Sequence, residues 1–323
     1  MIRIGLVGAS KIAETAVIAP VGKSDAFVVT AVAARDTSRA RAYAEKHGIA
    51  AVADDYAALM RRDDVDVIYN GLPPSGHAEW TIAALEAGKA VLCEKPFALN
   101  AGEAAQMVAA AERTGNPLLE AFHYRFHAVM HRAVAIVASG ALGRLTGGEA
   151  RFDIPFPKTP GELRWTASLG GGSLMDMGTY TIHALRTLIG AEPQVTSAEG
   201  QFIDGVDAEM AASLRFPGDI ETKIHCSMVA KEVSLNSVSL SLTGEAGSMS
   251  IMNFLAPQRG CRFTTTIDGA TTVEPVEGPA TYEAQLEHLR AVMQDGAAPL
   301  TGGRDAIANM AVIDAVYSAS GRG

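Results

Sequence analysis

Cysteine is scarce in this chain: there are three in 323 residues, Cys93, Cys226 and Cys261, far apart and without a C-x-x-C pair. Neither a disulfide framework nor a thiolate zinc site fits that pattern, and no metal is expected. No uninterrupted apolar run reaches the ~18 residues that cross a bilayer. Met1 leads directly into a strand-like segment without a basic n-region or cleavage site. The reading is therefore of a soluble, cytoplasmic protein with no membrane partner. A basic excess is missing too, since 27 Lys plus Arg stand against 36 Asp plus Glu for a net charge of −9, in no long block of either sign. Nucleic acid does not fit as a partner. Internal repeats and low-complexity tracts are also lacking.

What the chain does have is apolar material, 48% of its residues, enough for two cores rather than one. From residue 2 to about 122, short β-branched runs alternate with amphipathic stretches, the pattern of repeated βαβ units around a parallel sheet. Strands are expected at Ile2 to Gly8, Ala26 to Ala34, Val65 to Leu72, Ala90 to Lys95 and Pro117 to Phe122. After a further helix that follows His123, the texture changes to Thr, Ser and Val in period two, broken by glycines, as in "VSLNSVSLSLTGEAGSMSIMNF". That predicts a large, mainly antiparallel open sheet with one solvated or partner-covered face. The fold class is thus α/β: a doubly wound Rossmann domain over 1–122, then an α+β domain for substrate and oligomerisation over 123–302. A last helix at about 303–321, with Asp305 near its start, is expected to pack back near the first domain.

The first strand runs into "GLVGASKIA", which spaces Gly8, Ser10 and Ala13 as the G-x-G-x-x-G/A fingerprint does. Such chemistry needs a tight turn at Gly8, a small residue at Ser10 where backbone nears a pyrophosphate, and a small residue at Ala13 for helix–strand packing. Gly8, Ala9, Ser10, Lys11, Ile12 and Ala13 form the candidate phosphate turn. The second strand ends in "AARDTSR", where the loop meets the adenosine ribose. There Arg35 can hold a 2′-phosphate in a fork, so NADP is favoured over NAD, while Asp36 either meets a ribose hydroxyl or caps the next helix.

The fifth strand ends in "CEKPFALN", with Glu94, Lys95 and Pro96 at the strand terminus that faces the ligand crevice of an open α/β sheet. Taken with "GLVGASKIA", "YNGLPPSGH" and "GGGSLMDMGTY" in that order, the chain resembles the glucose-fructose oxidoreductase and inositol dehydrogenase family, Gfo/Idh/MocA, over essentially its whole length. By that resemblance Lys95 lies beside the nicotinamide and the substrate hydroxyl. Gly71, Leu72, Pro73 and His77 shape the cofactor crevice with Glu94 and Pro96. A cis Lys95–Pro96 bond would turn the ammonium toward the cofactor.

The stretch "GGGSLMDMGTYTIHALR" then acquires a role. On a helix from about Ser173, Asp176, Tyr180 and His183 fall at i, i+4 and i+7 on one face, and the glycines let backbone approach a ligand and free the helix N-terminus. Family members commonly carry Asp, His and often Asp at these positions; Tyr180 and His183 depart from that, and a tyrosine there resembles the glucose-fructose oxidoreductase and dimeric dihydrodiol dehydrogenase branch. The implied activity is hydride transfer between NAD(P) and a secondary alcohol or carbonyl of a sugar, polyol or cyclic diol. Tyr180, its phenol made more acidic by Lys95, moves the proton, Asp176 orients hydroxyls or the lysine, and His183 is the alternative base. Tyr124, Arg125, Arg164 and Trp165 are candidate substrate contacts, and a homodimer or homotetramer is expected. Two other readings stand beside this one: a non-catalytic NAD(P)-binding regulator or scaffold, and an NAD-dependent oxidation–elimination glycosidase.

Overall fold

The computed structural model describes residues 1–321, residue 235 in its backbone alone. Six parallel strands, Ile2–Val7, Phe27–Ala33, Ala51–Val52, Val67–Asn70, Ala90–Cys93 and Leu118–Glu120 (β1 to β6), form one sheet in the order β3-β2-β1-β4-β5-β6. That is the Rossmann strand order, in which the direction of build reverses beside β1 and opens a crevice at the strand C-termini. All residues of β4 and β5 are buried, as parallel strands covered on both faces require. The two-residue β3 was not anticipated, being too short to show a period.

The helices between the strands begin and end where local chemistry dictates. Asp36, Asp55 and Asn100 accept backbone N–H groups at the N-termini of helices Thr37–His47, Tyr56–Met60 and Ala101–Thr114. Gly48 and Gly115 close two of these in the left-handed conformation. Helix Thr281–Asp295, also unanticipated, places Leu286, Leu289 and Val292 in the same core as Ile4, Leu6, Val32 and Tyr69.

By internal contacts the chain divides into one unit of Met1–Phe122 with Tyr282–Ile307, and a second of His123–Thr281 with the chain from Ala308 onward. The stretch Tyr282–Ile307, which the sequence reading split between the second domain and the last helix, thus clusters with the first unit.

The second unit holds eight strands, Leu145–Asp153, Gln194–Ile203, Val206–Phe216, Ile220–Ser227, Val238–Gly244, Gly247–Met252, Arg262–Ile267 and Ala270–Glu274 (β7 to β14), ordered β14-β13-β12-β11-β7-β10-β9-β8. β7 and β10 run parallel and the other pairs antiparallel. Period two sorts the faces: Ala150, Ile224, Cys226, Leu240 and Leu242 are buried, whereas Glu149, Arg151, His225, Ser239 and Ser241 line a cavity of about 610 Å³ on the other side. Helix Thr179–Ile189 packs on the buried face, where a Cβ on Gly148 would lie 3.5 Å from Leu185. That helix is buried nearly all round, so Arg186 needs its pairs with Glu192 at 2.7 Å and Asn309 at 3.3 Å. Among the described residues no helix is long and apolar enough to cross a membrane.

Candidate functional site

In the first unit the β1 turn has the conformation the fingerprint demands. Gly8 sits at φ +94°, which a side chain would strain. Ser10 caps the following turn by accepting from Ala13 N at 3.4 Å, with Lys11, Ile12 and Ala13 as its first residues. A Cβ on Gly71 would come within 2.8 Å of Ser10 Oγ, so the loops after β1 and β4 touch through a glycine. Backbone amides at a helix start after a glycine turn suit a pyrophosphate, so the residues present fit a dinucleotide.

The adenosine end refines the sequence reading. Asp36 is a helix cap: its carboxylate accepts from Ser38 N at 2.8 Å, Ser38 Oγ at 2.6 Å and Arg39 N at 3.3 Å. These bonds, that from Ser38 first, lower its pKa. Arg35 is exposed at the loop. Arg39, which the sequence reading passed over, donates from Nη2 to Ala9 O at 2.8 Å and so lies on the phosphate turn itself. Its position four residues beyond Arg35, one turn into a capped helix, was the available signal. Tyr43 braces the same turn by donating to Ser10 O at 2.9 Å, and burial pushes its phenol up to about 12.

His77 is buried with Nδ1 2.9 Å from Pro96 O and Nε2 2.8 Å from Leu72 O. It therefore ties together the loops that follow β4 and β5, Pro73 included. Burial lowers its pKa, against the pull of those carbonyls. Glu94 is buried and accepts from Tyr69 Oη at 2.7 Å. Burial, with Glu94 adjacent, raises the Tyr69 phenol well above its ordinary value. Lys95 is half-buried and its bond to Pro96 is cis.

In the second unit the glycine-flanked stretch differs from expectation. Leu174–Gly178 forms a π-helical turn, closed by Thr179 N donating to Leu174 O, before the α-helix Thr179–Ile189. The π turn adds one residue to the hydrogen-bonded loop that carries Asp176, ahead of the regular α-helix that carries Tyr180 and His183. Asp176 meets Arg164, whose Nε donates to Oδ2 at 2.6 Å while Nη1 donates to Glu162 at 2.9 Å. The Arg164 guanidinium also lies 4.1 Å from the Phe156 ring centre. Trp165 donates its indole N–H to Phe156 O at 2.9 Å.

The glycines serve internal packing. A Cβ on Gly171 would lie 2.6 Å from Arg164 O, and one on Gly172, at φ +132°, would collide with Asp207 Oδ1. Nor is the helix start free, because Asp207 Oδ2 accepts from Leu174 N at 2.6 Å and Ser173 Oγ at 2.8 Å.

Tyr180 lies in an aromatic surround, edge-on to His123 and Tyr124 with ring centres 5.9 and 5.8 Å away, and tilted to Phe152 at 5.9 Å. His183 is buried, its Nδ1 2.5 Å from Tyr124 Oη. Tyr124 has no exposed surface. Its ring is packed on Phe254 and its hydroxyl is engaged by His183. Arg125, next along, is half-buried.

Residues 2–122 match the family described as "Oxidoreductase family, NAD-binding Rossmann fold", and residues 130–250 match the "GFO/IDH/MocA C-terminal domain". A D-xylose 1-dehydrogenase (NADP(+)) of Haloferax volcanii is 31% identical over 99% of this chain and 97% of that protein. A trans-1,2-dihydrobenzene-1,2-diol dehydrogenase of Macaca fuscata fuscata is 34% identical over 78% of this chain and 75% of its own length. Among solved structures, the aldose-aldose oxidoreductase of Caulobacter crescentus with glycerol superposes at a TM-score of 0.90, with 26% identity, covering 100% of this chain and 98% of that one.

Proposed function

The chain belongs to the Gfo/Idh/MocA oxidoreductase family, and from that premise we propose that it is an NADP-dependent oxidoreductase of a secondary alcohol or carbonyl on a sugar, polyol or cyclic diol. Bound NADP supplies or takes the hydride. The observation that carries the reading is the Gly8 phosphate turn together with a half-buried Lys95 at the end of β5 in one Rossmann sheet. NADP is favoured because Asp36 is committed to its helix cap while Arg35 stays exposed and Arg39 reaches the turn. The Lys95 ammonium polarises the carbonyl oxygen and holds the developing alkoxide. Tyr180 gives or takes the hydroxyl proton. Asp176, fixed by Arg164, orients substrate hydroxyls. The protein acts as a homodimer or homotetramer in a reducing cytoplasm, with the polar face of the second sheet, where Arg151 bridges Glu149 and Asp153, toward the partner.

The test is a plate of aldoses, polyols and trans-dihydrodiols read by NADPH absorbance. Turnover of a member supports the reading. NADPH binding with no turnover of any compound favours a regulator instead.

A further inference from the structure

We infer that Asp207 is a positioning residue for this reaction: its carboxylate, turned inward by a β-bulge, holds the π turn that carries Asp176 and leads into Tyr180. The inference rests on the function proposed above.

The placement of Asp207 is not what its strand would give by alternation. Along β9, Met210 is buried and Glu209 lies on the open face, so Ala208 should be buried and Asp207 exposed. The ladder with β8 breaks that rhythm: Gln201 pairs with Glu209 and Phe202 with Asp207, leaving Ala208 as an extra residue. Bulges of this kind re-aim a side chain. Val206, Asp207 and Ala208 are consequently all buried, and the carboxylate enters the interior.

There it accepts from Leu174 N at 2.6 Å, Ser173 Oγ at 2.8 Å and Tyr317 Oη at 2.7 Å. Gly172 must be glycine to leave it room. Desolvation raises the pKa of this acid despite those bonds, so its ionised form is costly to bury. A bulge, an obligatory glycine and a desolvated acid all converge on the first residues of one turn. An apolar side chain would fill the space with less expense, but it could not accept from Leu174 N and Ser173 Oγ together. Those two bonds fix the residues that open the π turn, and that turn sets where Asp176 and Tyr180 stand. The effect of Asp207 on the chemistry is thus through the turn.

The test compares Asp207→Ala with Asp207→Asn, whose carboxamide oxygen still accepts from Leu174 and Ser173 while its N–H₂ meets the Tyr317 oxygen. Displacement of reacting groups by about 1 Å costs on the order of 100-fold in rate, so Asp207→Ala should lose that much in kcat while its Kd for NADPH stays within about twofold. Asp207→Asn should recover kcat to within about tenfold of wild type. Native kcat in folded Asp207→Ala overturns the inference, as does a loss not recovered by Asn. If Asp207→Ala does not fold, Asp207→Leu, which fills the space but accepts from neither Leu174 N nor Ser173 Oγ, takes its place, and native kcat in that protein overturns the inference equally. Should the wild-type chain turn over no sugar, polyol or diol, the proposed function has failed, and the clamp is read from a crystal structure of Asp207→Ala instead. The Thr179 N to Leu174 O bond should then be replaced by α-helical winding, and an unchanged π turn overturns the inference.

Discussion

The guanidinium of Arg39 donates to the carbonyl oxygen of Ala9 across 2.8 Å, joining the helix after β2 to the turn after β1. On the function proposed above, with Asp36 occupied as a cap, Arg35 and Arg39 are expected to meet the 2′-phosphate. Arg35→Ala and Arg39→Ala should each weaken NADPH by about 1.5–3 kcal/mol, the worth of a charge-assisted hydrogen bond, and change NADH little. Titration of both cofactors by fluorescence checks this, and equal losses for the two would remove the basis for preferring NADP.

On the proposed role, in which the ammonium acts on an oxygen whose charge develops only in the transition state, Lys95→Ala should abolish turnover with cofactor binding and fold nearly intact. Separate measurement of kcat and of the Kd for NADPH should show the first collapse and the second hold. A variant with wild-type kcat excludes Lys95 from the chemistry.

Tyr180 and His183 are one turn apart, yet differently engaged. The His183 Nδ1 is held by the buried Tyr124 hydroxyl, which favours a packing role over acid–base work. Tyr180→Phe should lose ~10²- to 10⁴-fold in kcat, whereas His183→Asn should stay within a small factor if the fold tolerates it, as judged by Tm. Activity that survives in Tyr180→Phe and dies in His183→Asn reverses the assignment.

The buried acid gives a pH test of stability. Desolvation raises the folded pKa of Asp207 above its unfolded value, so between the two values the native state holds the extra proton. Stability therefore falls as pH rises through that window and levels off above it. Asp207→Asn, which never ionises, should have a higher Tm than wild type at pH 7, and the difference should shrink on acidification toward the unfolded value of ~3.9. A difference that does not change with pH would mean that ionisation of Asp207 is not what burial penalises.

Legibility in the sequence followed the physics of each feature. The Rossmann unit was readable because buried parallel strands are continuous apolar runs and their helices carry local caps such as Asp36 and Asn100. The antiparallel sheet was readable from period two in β11 and β12. Three features left no such trace. β3 is two residues long. The π turn at Leu174–Gly178, whose first amide donates to a carboxylate some thirty residues downstream, has no local signature. The bulge at Ala208 exists only in the pairing with β8. Glycines that look permissive toward a ligand, Gly171 and Gly172, are in fact filled by Arg164 and Asp207, which no local pattern could disclose.

The position of β7 in its sheet bears on how the second unit assembles. β7 comes first in the chain yet lies in the middle, between the meander β8-β9-β10 and the meander β11-β12-β13-β14. Each meander can close by short turns from neighbouring sequence, but β7 acquires its parallel partner β10 only after the chain has run on by some seventy residues. Loop-closure entropy makes such a join late and slow. A nascent β7 is therefore an edge that waits, and Glu149, Arg151 and Asp153 on its open face give it a charged row that disfavours adhesion to other chains in the interval.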